Sequence, residues 1–108
     1  MSRSRITIDD GVRDGLPPTH PGEILREELE ALGLSASAFA AKLDVPPNRV
    51  TQILSGQRSV SADTALRLAR FFGTTARFWL NLQSLHDLKI AAAENGARIA
   101  QRVRPRAA

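Results

Sequence analysis

The apolar residues of this chain recur at helical spacing, and the clearest pattern lies between Ser35 and Gly56. Two apolar faces follow one another there, the first made of Phe39, Ala40 and Leu43 and the second of Val50, Ile53 and Leu54. A four-residue break that holds two prolines separates them. Two short amphipathic helices joined by so tight a turn have to cross at a steep angle, because the turn leaves no room for an antiparallel return. The pattern therefore predicts a helix-turn-helix.

Further apolar stretches predict three more helices around this pair. Their predicted ends are Pro21 and Gly33 for the first helix, Ser61 and Gly73 for the fourth, and Thr74 or Thr75 for the start of the fifth. No stretch reads as a core strand. The predicted fold class is all-α, with five short helices.

Two stretches without a sustained apolar period flank these helices. Residues 1–18 contain two glycines and two prolines, and residues 94–108 contain four arginines and one acidic residue. We predict a flexible N-terminal arm over residues 1–18, a helix-turn-helix domain with a dimerising fifth helix over 19–93, and an Arg-rich, disordered tail over 94–108.

The charges of the chain are unevenly placed around a net charge of +4. Residues 1–34 hold four basic and seven acidic side chains, whereas residues 35–108 hold eleven basic and four acidic ones. Such asymmetry indicates an anionic partner for the basic part. The chain has no cysteine, no apolar run of membrane-spanning length and no signal-peptide pattern, so we expect a cytoplasmic protein.

The third helix carries a polar face opposite its apolar one. Asn48, Thr51 and Gln52 lie at helical spacing on that face. Amide side chains can pair with adenine, and the threonine methyl group can touch the thymine methyl group. On the residues alone, a merely solvated polar face explains the pattern equally well. We take the helix as a candidate recognition helix for the DNA major groove.

Two further residues of this helix are candidates for base contacts. Pro47 can press against a base or a sugar edge, and the alternative is that it only begins the helix. Arg49 can reach a guanine or a phosphate, and the alternative is a surface salt bridge.

Candidate phosphate contacts flank the two helices of the motif. Hydroxyl and N–H groups at a helix N-terminus bind phosphate well, although capping alone explains the serines. The loop after the recognition helix is expected to lie near the phosphate backbone, with its arginine as the strongest candidate. The full set is Ser35, Ser37, Lys42, Ser55, Gln57, Arg58 and Ser59.

The fifth helix holds the candidate dimer interface. Phe78 and Trp79 are adjacent, so they cannot both face one core. One is expected to close the domain and the other to pack against a second protomer with Leu82 or Leu85. The alternative is that both are partly buried in a wide core. A dimer would place two recognition helices ~34 Å apart, about one turn of DNA.

The chain carries no pattern typical of an enzyme. His20 and His86 are its only histidines, and neither has a neighbour at metal-ligand spacing. The acidic pair Glu27-Glu28 is better explained as a solvated face. There is no Gly-rich phosphate loop and no nucleophile motif. We predict no catalytic residue, no metal and no cofactor.

Three blocks in order give the chain a family resemblance: HPGEILREEL (His20–Leu29), VPPNRVTQILSGQRSVSADTALRLARFF (Val45–Phe72) and FWLNLQSLHDL (Phe78–Leu88). Together they resemble the lambda-repressor-like (XRE) helix-turn-helix family, and within it the HigA-type antitoxins. The chain departs from the broader family at Ala36, where many relatives carry a glutamine that helps hold a phosphate, and at Asp44, which replaces the corner glycine.

The resemblance implies a lambda-repressor-like fold and two activities. Members of the family are dimers that bind a palindromic operator near their own promoter and repress it. They also bind and neutralise a small basic HigB-like toxin that cleaves mRNA on the ribosome. One alternative is a stand-alone repressor of phage or plasmid type without a toxin. Another is a protein-interaction module that binds no DNA, which Ala36 and the acidic N-terminal third favour.

Overall fold

The computed structural model describes residues 19–107 and contains five α-helices in that range. They are α1 (Pro21–Leu32), α2 (Ala36–Leu43), α3 (Pro47–Leu54), α4 (Ala62–Phe72) and α5 (Ala76–Arg102). No strand occurs among the described residues, which confirms the all-α prediction. The predicted arm over residues 1–18 lies outside them. The described chain divides into two units, one formed by residues 19–84 and the other beginning at Leu85.

Side chains placed just before the helices cap their N-termini. Ser35, not Ser37, caps α2 and accepts a 3.1 Å hydrogen bond from the Ala38 backbone N–H. Ser61 caps α4 in the same way, and the Thr75 hydroxyl accepts from the Phe78 N–H at the start of α5. These hydrogen bonds satisfy backbone donors that would otherwise lack partners, as the sequence predicted.

The turn between α2 and α3 is built on Asp44, whose φ of 58° places it in the left-handed region. Asp44 is the only residue other than glycine with a positive φ in the described chain, which agrees with its place at the family's corner glycine. The Val45 N–H closes the turn by donating to the Ala40 carbonyl at 3.0 Å. Pro47 then occupies the first position of α3, where its missing N–H leaves no acceptor unsatisfied.

The core of the unit formed by residues 19–84 gathers one face of each helix. Its buried apolar members are Leu25, Leu29, Phe39, Ala40, Leu43, Val50, Ile53, Val60, Ala65, Leu68 and Trp79. The fully buried Phe39 ring lies edge-on to Phe71 at a centroid distance of 5.2 Å. Truncating such a ring to alanine costs about 3–5 kcal/mol. The apolar spacing in the sequence thus predicted both buried faces of the helix-turn-helix.

Helix α5 continues beyond residue 93 and ends at Arg102, so the prediction of a disordered tail over residues 94–108 is wrong for residues 94–102. After residue 93 the side chains become exposed, so apolar residues no longer recur at helical spacing. Exposure by itself does not end a helix. The segment from Ala91 to Arg102 consists almost wholly of strong helix formers, against which Gly96 costs only about 1 kcal/mol. Residues 103–107 have no regular secondary structure.

No helix in the described part of the chain is long and apolar enough to span a membrane.

Candidate nucleic-acid interface

Helix α1 holds α3, the candidate recognition helix, by two backbone contacts. A Cβ atom on Gly22 would lie 2.0 Å from the Ile53 carbonyl oxygen, so only glycine allows so close an approach. One turn later, Arg26 Nη2 donates a 2.7 Å hydrogen bond to the Leu54 carbonyl, which is an orphan acceptor at the C-terminal end of α3. The position of α3 is therefore fixed from α1 as well as by its own buried face.

The His20 side chain completes this contact region. Its Nδ1 atom accepts a 2.9 Å hydrogen bond from the Gly22 N–H, and Glu23 closes a capping box by accepting from the His20 backbone N–H at 3.4 Å. His20 thus has a structural role at the start of α1. His86 lies on α5, with its Nδ1 atom 3.3 Å from the Asp87 carboxylate.

The polar face of α3 is presented to solvent while the opposite face is buried. Pro47, Asn48 and Thr51 are exposed, and Arg49 and Gln52 are half-buried. Val50 and Ile53 retain only 3% and 2% exposure, respectively. Because the buried face anchors the helix, the predicted base-contact residues stand on a surface of fixed geometry.

The loop after α3 folds back onto Gln52. Arg58 Nε donates a 2.8 Å hydrogen bond to Gln52 Oε1. The Gln52 backbone carbonyl also accepts from the N–H groups of Gln57 and Arg58 and from the Ser55 hydroxyl, at 2.8, 3.1 and 3.1 Å. Gln52 is a predicted base contact and the other three are predicted phosphate contacts, so the structure brings the two sets together. Ser59 is exposed in the same loop.

Arg49 is engaged in an ion pair. Its Nη1 atom lies 2.7 Å from Asp63 Oδ2 on the first turn of α4, and Arg67 Nε lies 2.9 Å from the same oxygen. Hydrogen bonds from Arg67 and, secondarily, Arg49 hold the pKa of Asp63 below its ordinary value of 3.8. The same contact raises the pKa of Arg67. The salt-bridge alternative for Arg49 is therefore present in the structure.

The remaining phosphate candidates lie on α2. Ser35 is its N-cap, Ser37 is exposed in its first turn, and Lys42 is exposed in its last turn. Lys42 lines a shallow groove between α2 and α4 with Arg70 and Phe71. These three candidates therefore stand on the helix that precedes the recognition helix.

Of the two adjacent aromatic residues of α5, Trp79 is the one that closes the domain, as expected for one of them, and it is therefore not a dimer contact. Trp79 is only 2% exposed, packs in the core and donates from Nε1 to the Thr74 hydroxyl at 2.8 Å. Phe78 faces outward with 43% exposure, because adjacent helical residues point about 100° apart. Leu82 is partly buried against the core, and Leu85 begins the second unit. The structure thus separates the aromatic pair into a core residue and a surface residue.

Several residues that shape this surface carry no signal in the sequence. Arg26, Asp63 and Arg67 look like ordinary surface charges, yet each connects two elements. Gln83 looks like a polar helix residue, yet its buried side chain accepts a 2.8 Å hydrogen bond from the Val60 N–H. Apart from the Asp63–Arg67 pair, which lies one helical turn apart on α4, their partners are distant along the chain, so helical spacing could not find them.

No group of three or more His, Cys, Asp or Glu side chains among residues 19–107 could hold a metal ion. The exposed polar groups instead form one surface along α3 and the following loop. Such a surface, rich in amide and guanidinium donors, suits hydrogen bonding to base edges and phosphates.

A helix-turn-helix family model matches residues 25–79, which include α2, α3, α4 and the start of α5. The chain belongs to this helix-turn-helix family. Its members are DNA-binding transcriptional regulators and antitoxins, not enzymes. The Virulence-associated protein I of Dichelobacter nodosus is 54% identical over 80 residues, which cover 73% of this chain and 74% of that protein.

Solved structures of antitoxins share the fold of this helix-turn-helix protein. An addiction module antidote protein of the HigA family from Coxiella burnetii is 55% identical, with a TM-score of 0.82 over 84% of this chain and 100% of that one. The antitoxin HigA of Pseudomonas aeruginosa, solved with the higBA promoter, is 47% identical, with a TM-score of 0.79 over 82% and 97%. The resemblance to XRE-type, HigA-like proteins expected from the sequence is thus confirmed.

Proposed function

We propose that this protein is a dimeric antitoxin of the HigA type, which represses its own operon by binding operator DNA and also neutralises a HigB-like toxin. The observation that carries the DNA-binding part is the exposed polar face of α3 joined to the loop that follows it. The solved P. aeruginosa antitoxin with its promoter supports the same part. The protein would act in the cytoplasm, where both the operator and the toxin's mRNA substrate are found.

In this proposal, Asn48 and Gln52 read bases in the major groove. The Gln52 amide keeps its NH2 group and one lone pair of Oε1 available, because Arg58 occupies only one acceptor position. Those are the groups that a bidentate pair with adenine requires. Thr51 and Pro47 add apolar contacts to base or sugar edges.

Arg58 and its neighbours contact the phosphate backbone. Arg58 is exposed, and its hydrogen bond to Gln52 fixes the guanidinium beside the base-reading face. Ser55, Gln57 and Ser59 supply further donors from the same loop, and Ser35, Ser37 and Lys42 supply them from α2. A phosphate contact that is tied to a base contact sets the register of the protein on the duplex.

A homodimer completes the reading of a palindromic site, since one recognition helix covers too few base pairs for a unique operator. The exposed Phe78 is the strongest candidate for the dimer contact, with Leu82 and Leu85 on the same helix. Trp79 has no part in it because the core already holds it.

The proposed toxin contact rests on charge. Glu27, Glu28 and Glu30 are exposed on α1. An acidic helix face is the natural docking surface for a small basic toxin. It lies on α1, whereas the proposed DNA contacts lie on α2, α3 and the loop after α3.

Co-purification tests the proposed function. The chain, tagged at its N-terminus, is expressed from its native locus with both neighbouring reading frames and recovered in high salt, which strips DNA but spares a packed protein interface. We expect a stoichiometric small basic protein that is lethal alone and silenced by this chain. A homodimer that still protects its own promoter but retains no partner would leave a stand-alone repressor. A chain that protects no promoter DNA would contradict the DNA-binding part.

A further inference from the structure

The Asp63 carboxylate joins the recognition helix to α4. It accepts from Arg49 Nη1 on α3 at 2.7 Å and from Arg67 Nε, one turn along α4, at 2.9 Å. Arg49 is the only predicted base-contact residue that forms an ion pair with another described residue. The carboxylate thus sits beside a side chain that would otherwise carry a free positive charge at the DNA-facing surface.

Arg67 fixes this carboxylate in place. Its Nη1 atom donates to the Leu43 and Asp44 carbonyls at 2.9 and 3.0 Å, which ties the guanidinium to the turn of the motif. Its Nε and Nη2 atoms reach both oxygens of Asp63, at 2.9 and 3.5 Å. Asp63 is therefore a positioned partner for Arg49, unlike one member of an isolated surface pair whose side chains move freely.

The pair changes what Arg49 can bind. A guanidinium has five N–H donors, and Asp63 takes one of them, so donors remain for the acceptor atoms of a guanine edge. Its charge, however, is partly offset by the carboxylate, which Arg49 shares with Arg67. A phosphate would have to displace or share that carboxylate, and two anions on one cation repel each other.

We propose that Asp63 is a specificity-determining residue, which holds Arg49 for a base edge and suppresses its contact with phosphate. Because phosphate contacts are independent of sequence, their suppression lowers binding to random DNA more than binding to the operator. This inference rests on the proposed function, namely that α3 reads operator DNA.

The test compares the wild-type chain with the Asp63→Asn variant. The probes are a duplex from directly upstream of the chain's own reading frame and a scrambled duplex of equal length, titrated over a range of salt concentrations. We expect the variant to bind the scrambled duplex about threefold to tenfold more tightly, with a salt slope steeper by ~0.9, the value for one extra phosphate contact. Affinity for the upstream duplex should change by less than about twofold, so discrimination between the two falls.

Three further variants isolate the effect. Asp87→Asn makes the same charge change on a side chain of the same 57% exposure, and it should leave discrimination unchanged. In an Arg49→Gln background, Asp63→Asn should have no further effect on either duplex. Arg49→Lys, which leaves the Asp63–Arg67 pair intact, should also lose discrimination and serves where Asp63→Asn melts early.

The inference is overturned if a discriminating wild type keeps its ratio of affinities in a folded Asp63→Asn variant, or in Arg49→Lys where Asp63→Asn melts early. It is also overturned if Asp63→Asn changes the affinity for the scrambled duplex by the same factor in the Arg49→Gln background as in the wild type. A wild-type chain that binds both duplexes alike would instead overturn base reading by α3, and this inference with it.

Discussion

The Arg26 guanidinium caps α3 from 28 positions earlier in the chain, by donating to the Leu54 carbonyl at 2.7 Å. Arg67 does the same for the first helix of the motif, because it donates to the Leu43 and Asp44 carbonyls. Each helix of the helix-turn-helix is thus capped at its C-terminal end by an arginine side chain from outside the motif. A cation at a helix C-terminus also complements the helix dipole.

Because Arg26 anchors α3, we expect its substitution to weaken DNA binding although Arg26 is not a proposed DNA contact. Arg26→Gln should lower the free energy of unfolding by about 1 kcal/mol, since the side chain is exposed and a hydrogen bond of this kind contributes modestly. Operator affinity should fall as well, because the C-terminal end of α3 loses its anchor. Urea unfolding and operator titration measure the two effects. The control is Arg70→Gln, at an exposed arginine of α4. It should change neither the free energy of unfolding nor the affinity for the operator.

Gly22 and Gly96 form a matched pair of substitutions. Gly22→Ala places a Cβ atom against the Ile53 backbone and should destabilise the protein by about 1–3 kcal/mol, as overpacking against backbone does. Gly96→Ala meets only the Ala92 Cβ at 4.0 Å and should stabilise α5 by about 0.5–1 kcal/mol. Thermal unfolding of both variants checks the opposite signs. A neutral Gly22→Ala would contradict the close contact between α1 and α3.

Substitution of Arg58 should lower DNA affinity by an amount that does not depend on the DNA sequence. Arg58→Ala should weaken binding to operator and scrambled DNA alike and reduce the salt slope by ~0.9, because it removes one phosphate contact. Affinities measured at several salt concentrations test this. A loss confined to the operator would assign Arg58 to base reading instead.

Asp63 predicts a pH dependence of stability. Its pKa is lowered in the folded protein by the hydrogen bonds from Arg67 and Arg49, so the folded state binds fewer protons than the unfolded state as the pH falls below about 5. The contribution is complete above the ordinary pKa of 3.8 and disappears as the pH falls through the lowered pKa. The urea midpoint of the wild type should therefore decline more steeply over this acid range than that of Asp63→Asn. Parallel declines would contradict the pairing.

The features that sequence could predict are those encoded by near neighbours. Ser35 and Ser61 cap helices that begin at the next residue, and Asp44 adopts the left-handed conformation expected at the position of the family's corner glycine. Helical spacing also separated the buried Val50 face from the exposed Asn48 face. Such signals span no more than a few residues, and a single sequence displays them directly.

The features that sequence could not predict depend on distant partners or on exposure. Nothing near Arg26 or Asp63 marks its contact with α3. Trp79 could not be assigned to core or interface until the position of Thr74 beside its indole N–H was known. The end of α5 at Arg102 could not be predicted because the apolar period is lost after residue 93 while the helix continues.

Base reading by α3 is the central claim, and Asn48→Ala tests it most directly because its exposed side chain supports no other described element. Binding of the full chain to its upstream duplex and to a scrambled duplex should be measured for wild type and variant. We expect a loss of ~1–3 kcal/mol on the upstream duplex with little change on the scrambled one. Equal losses on both duplexes, or no loss on either, would contradict the claim that this face reads sequence.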